Sequence, residues 1–596
     1  MLYFVNTLGS AAACFLAAGV TMRVLGQSGT VAIAAALNAS VGLGVLAVHY
    51  VNRRGALFET GRQTPLQDAV APEELNDGLL TMPRAAALVA LAGFIALAYE
   101  VLWYRLYSFW SGSNAKTFAS LLGAYLAGVA VGGLIAHDLT SRADRVRNTK
   151  QYLRLVGGFV VIANVAGFLV GPAIGFAAQH QAPALVTLLL AVAAAMLGST
   201  FPLICHVSVS SASRTGWNMS VLYFSNIAGA ALGSFLVGFV LMNWWGAQQL
   251  SVFLVTMGML LGFAILFASA PGKREIALTT VGALVLFAAI LTFQTPLFAG
   301  LYERMLLQDE YRSGTHFQHL VENRSGVIAV TADNTVYGGG VYDGKFNTDL
   351  VHDSNGLFRI FQLSSFHHAP RQVLMIGLAS GSWGQVIANH PQLESLTVVE
   401  INPGYLGLIA QYPQVASLLK NPKVKVITDD GRRWLMENPA RKFDLIVVNS
   451  TFNWREHASN LLSVEFLQLV RHHLSQGGVF FYNTTSSPEV FLTGTTIFPY
   501  GLRVGNFLAL SDAPITIDPE RLRETLLAYR IDGRPVLNLA QPQDAIRFQA
   551  MLDLTHRFGI STDLAHPTLE MADSMRARFR GARIITDDNM GTEWSH

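Results

Sequence analysis

The sequence predicts a multi-span α-helical membrane domain followed by an α/β domain with a doubly wound parallel sheet and a small β-lobe at its start. Three observations predict this. Charge is split unevenly: the first 300 of 596 residues hold 24 charged side chains, 15 basic and 9 acidic, and the last 296 hold 56. Apolar runs of spanning length, about 20 residues, recur through the first half. In the second half, short apolar runs ending in Gly, Glu, Asp or Asn alternate with helical stretches. The whole chain is 51 % hydrophobic and 13 % charged, against about 25 % charge in soluble domains, so a wholly soluble enzyme is not expected, and a disordered or collagen-like chain is excluded. A net charge of +2 gives no electrostatic footprint for nucleic acid. Two cysteines, Cys14 and Cys205, exclude a disulfide scaffold and a paired-cysteine zinc site.

Within residues 1–295 the apolar runs lie near 3–22, 29–50, 84–104, 116–136, 154–178, 183–205, 219–243, 249–270 and 275–294, which gives eight to ten spans. The first is a retained span, because its first Arg, Arg23, follows the apolar stretch where a signal peptide has basic residues before it. Gly128 with Gly132, and Gly229 with Gly233, have the spacing that lets helices approach closely. They fit packing inside one bundle and leave a homodimer open. Glu100, at the end of one span, is a functional candidate as an intramembrane carboxylate, and a structural ion pair with Arg105, five residues on, is an equal expectation. No repeated pair of broken helices favours a transporter.

In the second half, residues 310–370 form a lead-in and a β-lobe, and 371–596 the main α/β domain. The segment 371–377 is a continuous apolar strand, as in buried parallel sheets, and it runs into Gly377-Leu378-Ala379-Ser380-Gly381. Strands at 395–403, 423–435, 443–453 and 477–487 follow, the first three carrying Glu400, Asp430-Gly431 and Asn449 at their ends. Open α/β sheets bind ligands at these strand ends. The glycine turn lets backbone approach a ligand. Glu400 can accept both ribose hydroxyls, and Asp430 an adenine amino group. This spacing points to an adenosine ligand, with a dinucleotide as the rival.

These residues resemble the spermidine synthase (polyamine aminopropyltransferase) family in its membrane-fused form, and the similarity covers most of the chain. AYEVLWYRL (98–106), STFPL (199–203) and LYFSNIAGAALGSFLVGFVL (222–241) resemble the membrane half of such fusions. VYDGKFNTD (341–349), the 371–377 strand and turn, VVEINP, DDGRRWL, FDLIVVNS and TDDNMGTEW (586–594) resemble the synthase half. The resemblance implies a Rossmann-like methyltransferase-type sheet after the β-lobe. It implies aminopropyl transfer from decarboxylated S-adenosylmethionine to a diamine, with release of methylthioadenosine and no metal. By the same resemblance Glu400 holds the ribose, Asp430 and Gly431 the adenine, and Gly377 and Gly381 shape the turn. Asn347 stands where the family has a Gln near the transferred group.

The departures are chemical. The turn's Asp, which binds the cosubstrate amine and disfavours a carboxylate, is here Ser380. The family's base toward the diamine is here Asn449, a second Asp is Phe452, and a Tyr corresponds without gaps to Gly356. A dicationic diamine needs carboxylates for attraction and for proton removal, so diamine transfer is disfavoured unless Asp349, Asp353, Glu456 or His457 compensates. Intact S-adenosylmethionine is then the expected ligand. Its own carboxylate can attack the γ-carbon to give homoserine lactone and methylthioadenosine, a lyase reaction that needs no base and gains from near-attack geometry. Asn449 and Asn347 would orient the chain. Alternatives are aminopropyl or aminocarboxypropyl transfer to an external acceptor, methyl transfer, and a ligand-gated sensor or transporter.

Other residues fit this frame. Trp454-Arg455-Glu456-His457 should lie over the site, with Arg455 facing a substrate carboxylate. Tyr342 and Asp343 shape a turn or touch ligand. His352 and Asp353 lack a third metal ligand, His367-His368 reads as a polar loop, and Asp587-Asp588 as a cap. The expected partners are a small-molecule substrate and membrane lipid. The basic loop 137–153 (Arg142, Arg145, Arg147, Lys150) and Lys273-Arg274 read as cytoplasmic. Five crossings after that loop would put the second half on the other face. A cytosolic cosubstrate instead places it in the cytoplasm, and the chemistry is given precedence.

Overall fold

The computed structural model describes residues 2–58, 80–146, 149–209, 215–269, 271–367, 369–449, 452–556 and 569–595. Arg147 and His368, both singled out above, lie outside the described residues. The first half is helical: α1 (Leu2–Leu16), α2 (Met22–Phe58), α3 (Met82–Trp110), α4 (Lys116–Val146), α5 (Thr149–Gln179), α6 (Pro183–Gly198), α7 (Thr200–Ser208), α8 (Thr215–Phe235), α9 (Ala247–Ala268), α10 (Lys273–Phe298) and α11 (Leu301–Leu307). Among the described residues, eight continuous helical stretches are long and apolar enough to cross a membrane. The first of them, Phe4–Val51, has 48 residues. At about 1.5 Å per residue it is more than twice the thickness of a hydrocarbon core, about 30 Å. It breaks at Gly26 (φ 68°, ψ −169°), a backbone conformation open to glycine, and each arm is of spanning length. Each of the nine apolar runs therefore falls on its own helical arm.

The arms alternate in direction, and one set of ends meets the second half. The backbone N–H of Gln27 donates to Asp588 O at 2.8 Å, and that of Ser28 to Asp588 Oδ1 at 2.7 Å. At the end of α3, Arg105 donates to the Asn323 carbonyl. The amide of Ala247, which starts α9, donates to Glu322 Oε2 at 2.9 Å, and Tyr302 of α11 donates to the same atom at 2.6 Å. The connections α4–α5 and α9–α10 therefore lie at the far end, where Arg154 pairs with Glu275 at 2.8 Å. The basic loop and the second half occupy opposite ends of the bundle.

The glycine pairs act inside this bundle. A Cβ on Gly229 would lie 1.9 Å from Ala90 O, and one on Gly233 2.3 Å from Phe94 O, so α3 and α8 touch backbone to backbone. Gly128 and Gly132 do the same against Ala191 and Ala195 of α6, at 2.2 and 2.3 Å. With both pairs used internally, they give no ground for a homodimer. Glu100 is buried (8 % exposed), and the expected Glu100–Arg105 pair is not formed, because Arg105 turns to Asn323 beside Glu322 and Tyr302.

The β-lobe has four antiparallel strands in chain order, β1 (His319–Asn323), β2 (Gly326–Val330), β3 (Thr335–Gly338) and β4 (Val341–Lys345). After α12 (Phe358–Phe366) the main sheet forms from β5 (Gln372–Ile376), α13 (Ser382–Ala388), β6 (Ser395–Glu400), α14 (Gly404–Ile409), β7 (Val424–Thr428), α15 (Gly431–Glu437), β8 (Phe443–Val448), α16 (Val464–His473), β9 (Leu474–Asn483), β10 (Tyr500–Val504) and β11 (Phe507–Ser511). A short strand, Leu569–Met571, closes one edge, giving the order 569–571, β10, β11, β9, β8, β5, β6, β7. The strands β7, β6, β5, β8 and β9 are parallel, as their continuous apolar runs predict. The expected all-parallel sheet is corrected to a mixed one, because β10 and β11 form an antiparallel hairpin against β9. Both faces are covered: Val373, Met375, Leu445 and Val447 enter one core, and Leu374, Ile376, Ile446 and Val448 the other.

The halves meet tightly at Gly340 (φ 82°), where a Cβ would lie 1.8 Å from Phe109 O. Gly340→Ala must therefore push the β-lobe off the end of α3, with a cost on the order of the 1–3 kcal/mol of overpacking. Limited proteolysis of the detergent-purified protein should show faster cleavage between the halves. Gly407→Ala, whose Cβ meets nothing within 4 Å, should not change the pattern.

Candidate active site

The strand ends build the site. Beyond β5 the chain turns through Gly377 (φ 87°), Ala379 (φ 50°) and Gly381 (φ 75°), and a Cβ on Gly381 would strike Ile409 Cδ1 at 2.8 Å. Glu400, the last residue of β6, is 4 % exposed. It holds the turn in place: Oε2 accepts from Leu378 N at 2.6 Å and Oε1 from Asn402 N at 2.7 Å. Burial pushes its carboxyl up to about 7, against those two hydrogen bonds. Asp430 caps α15, accepting from Arg433 N at 2.8 Å. Gly431 lets α15 approach β5, since a Cβ there would lie 2.4 Å from Ile376 Cγ2. Arg432 forks onto Asp587 at 2.8 and 2.6 Å, so Asp587 fastens the C-terminal segment to α15.

Beside these ends lies a cavity of about 390 Å³, within the usual range for small-molecule sites. Asn449 and Phe452 line it from beyond β8, Asn483 from the last residue of β9 with Thr485 and Ser486 just beyond, and Phe507 from the start of β11 with Asn506 just before it. The β-lobe adds Tyr342, Asp343 and Gly344, and the segment into α12 adds Asn355 and Arg359, with Trp383 behind. Ser380 is 3 % exposed, and a Cβ on Gly344 would lie 2.9 Å from its Oγ. Asp343 is the cavity's one carboxylate among the described residues. Burial raises its pKa, opposed by the Tyr405 hydroxyl that donates to it and by the charge of Arg455. Tyr342 donates to Asn355 Oδ1 at 3.0 Å.

Four candidates differ from expectation. Asn347 and Asp349 build a surface turn: Asn347 Nδ2 donates to His352 O at 2.9 Å, and Asp349 accepts from Val351 N at 2.8 Å and faces His352 Nδ1 at 2.8 Å. Neither side chain lines the cavity. Arg455 does not face it either; its guanidinium donates to Gly338 O at 3.0 Å and holds the β3–β4 turn. His457 (φ 64°) is spent as backbone, its N–H donating to Glu593 Oε1 at 2.8 Å, while its ring is 78 % exposed. The loop they belong to is clamped by the bundle. Tyr104 donates to Glu456 Oε2 at 2.7 Å, the Glu456 amide donates to Ser113 O at 2.8 Å, and Asn114 forms a β-bridge with Arg455.

Arg359, Trp383 and Phe507 line the cavity without any motif that singles them out. Only Asp353 hinted at the first: its carboxylate accepts from Asn355 N, Leu357 N and Phe358 N at 2.9, 2.9 and 3.0 Å, which fixes the segment that carries Arg359.

Comparisons with known proteins were made by sequence and by structure. Residues 360–493 match the spermine/spermidine synthase domain. Polyamine aminopropyltransferase 1 of Ralstonia nicotianae is 26 % identical over 457 residues, 71 % of this chain and 80 % of that protein. Polyamine aminopropyltransferase 2 of Hyperthermus butylicus is 30 % identical over 223 residues, 33 % of this chain and 70 % of its own length. A crystal structure of spermidine synthase from Thermotoga maritima aligns at TM-score 0.29 and 18 % identity, over 38 % of this chain and 84 % of that one. With catalytic-half motifs in family order and 30 % identity across more than two thirds of the Hyperthermus protein, the chain belongs to the polyamine aminopropyltransferase (spermine/spermidine synthase) family.

Proposed function

We propose that this chain is a membrane enzyme that transfers the three-carbon group of an adenosyl sulfonium, S-adenosylmethionine or its decarboxylated form, and releases methylthioadenosine. The observation that carries the proposal is the cavity itself. It lies at the ends of the parallel strands beside the Glu400-held turn, and Asp343 lines it. Glu400 accepts the ribose hydroxyls, and Asp430 takes the adenine end. The acceptor amine attacks the chain carbon next to sulfur. The new N–C bond forms as the S–C bond breaks, the electron pair returns to sulfur, and the amine's proton goes to Asp343. A carboxylate whose pKa burial has raised is the better base for that step.

Asn449 favours a second reading. It cannot take a proton, so a reaction that sheds none suits this site: the carboxylate of intact S-adenosylmethionine closes on the γ-carbon, forming a C–O bond, homoserine lactone and methylthioadenosine. One experiment separates the readings. The detergent-purified chain is incubated with S-adenosylmethionine alone, and separately with decarboxylated S-adenosylmethionine plus putrescine, and products are read by mass spectrometry. Methylthioadenosine with spermidine in the second mixture supports transfer. Methylthioadenosine with homoserine lactone in the first supports self-cleavage. Binding without product in either mixture overturns both and leaves a sensor.

Two further outcomes follow. Asp343→Asn should lower kcat for transfer about 10²- to 10⁴-fold while leaving methylthioadenosine binding within a few-fold; self-cleavage should be spared. Glu400 gives a pH signature. Its carboxyl titrates near 7 in the free protein, and ribose hydroxyls prefer the ionised form, so binding expels a proton. Affinity for methylthioadenosine should rise from pH 6 to pH 8, with proton release near pH 7 measured calorimetrically in two buffers. Glu400→Gln should flatten that profile.

A further inference from the structure

Two formally charged side chains line the cavity among the described residues, Asp343 and Arg359. A site for two polycations has no use for the second. The Arg359 guanidinium carbon lies 5.0 Å from the Phe358 ring and 5.2 Å from that of Phe507. Its buried Nε has no acceptor, and its side chain donates to no described protein group. The nearby Asp353 is already committed to three backbone amides and to Arg547 at 3.4 Å. Room for the guanidinium comes from Gly356 (φ 63°), where a Cβ would lie 2.0 Å from Arg359 Nη1. This is the position aligned above with a family Tyr. Ser380 and Asn449 remove negative charge from the same region.

We propose that Arg359 binds a carboxylate of the reacting small molecule, so that the cavity takes an amino-acid zwitterion whose cationic end faces Asp343. This rests on the alkyl-transfer reading above. The carboxylate has two possible sources, the donor (intact S-adenosylmethionine) or an amino-acid acceptor. A half-buried planar donor whose Nε finds no protein acceptor, flanked by two rings, suits a forked carboxylate contact.

The test uses the full chain in detergent and two ligand pairs that differ by one carboxylate: S-adenosylmethionine against its decarboxylated form, and ornithine against putrescine with methylthioadenosine bound. Calorimetry should show the carboxylate-bearing member of at least one pair bound about 10- to 100-fold more tightly, and that pair names the source. Arg359→Gln should abolish the preference, and Arg359→Lys should keep part of it. Equal binding within both pairs overturns the proposal while leaving the alkyl-transfer reading intact, and so does an Arg359→Gln variant that weakens every ligand equally. Failure of methylthioadenosine and both sulfoniums to bind overturns the reading beneath it as well.

A second inference rests on charge alone. Of the 12 basic residues before residue 300 that lie within the described residues, nine fall on the far-end helix ends at 53–54, 84, 142–154 and 273–274, and three (Arg23, Arg105 and Lys116) on the end that meets the α/β half. Basic loops stay in the cytoplasm. We infer that the α/β half lies on the non-cytoplasmic face. A fixed positive charge does not cross a bilayer unaided, so a sulfonium made in the cytoplasm needs a protein route to this site.

In a variant with Cys14 and Cys205 replaced, Gln541→Cys and Lys273→Cys place single thiols at exposed positions of the α/β half and of the far end. A membrane-impermeant maleimide applied to intact cells with a permeabilised outer envelope should label the first and reach the second only after lysis. The reverse pattern overturns the inference and places the domain in the cytoplasm.

Discussion

The amide of Glu456 donates to the carbonyl of Ser113, and much of the site depends on that hydrogen bond and its neighbours. Ser113 belongs to the turn between α3 and α4, and Glu456 to the loop beyond β8 whose start, Asn449 and Phe452, walls the cavity. Tyr104, Asn114 and Phe109 fasten the same junction from the helical side. A soluble α/β sheet normally leaves its strand-end loops free to move. Here the membrane bundle supplies part of their support, so the two halves form one working unit.

A second constraint lies deeper. Glu400 sits almost out of solvent, with each carboxylate oxygen accepting a backbone N–H. Those bonds shape the glycine turn before any ligand arrives. The carboxylate retains lone pairs for further donors, and its burial is what raises its pKa. Asp343, half-buried and acidic, lies close enough to raise it further.

Much of the scaffold was legible. Spanning length and low charge located the helices, and continuous apolar runs located the five parallel strands, because each pattern reports directly on what surrounds the element. The antiparallel hairpin 500–511 was missed, since its burial comes from β9 and from the segment near residue 570, which are distant in the chain. At the site, residues at strand ends were readable, because topology alone delivers Glu400, Asp430 and Asn449 there. Asn347 and Asp349 lie off the cavity because their side chains complete a local turn, and turn chemistry looks like catalytic chemistry in a sequence, whereas the His457 amide is tied to Glu593, a partner 136 residues away that no local pattern announces. Arg359 was invisible because its meaning depends on a missing Cβ three residues earlier and on a ring from β11.

The stitch between Ser28 and Asp588 joins residues 560 positions apart. At roughly 5–20 residues per second of synthesis, about half a minute to two minutes separate the two ends of that hydrogen bond on the ribosome. Through this interval the kink at Gly26 has exposed amides with no carboxylate to receive them. The first helical arms therefore reach the membrane before Asp588 has been made, so this contact between the two halves forms only after synthesis has passed residue 588.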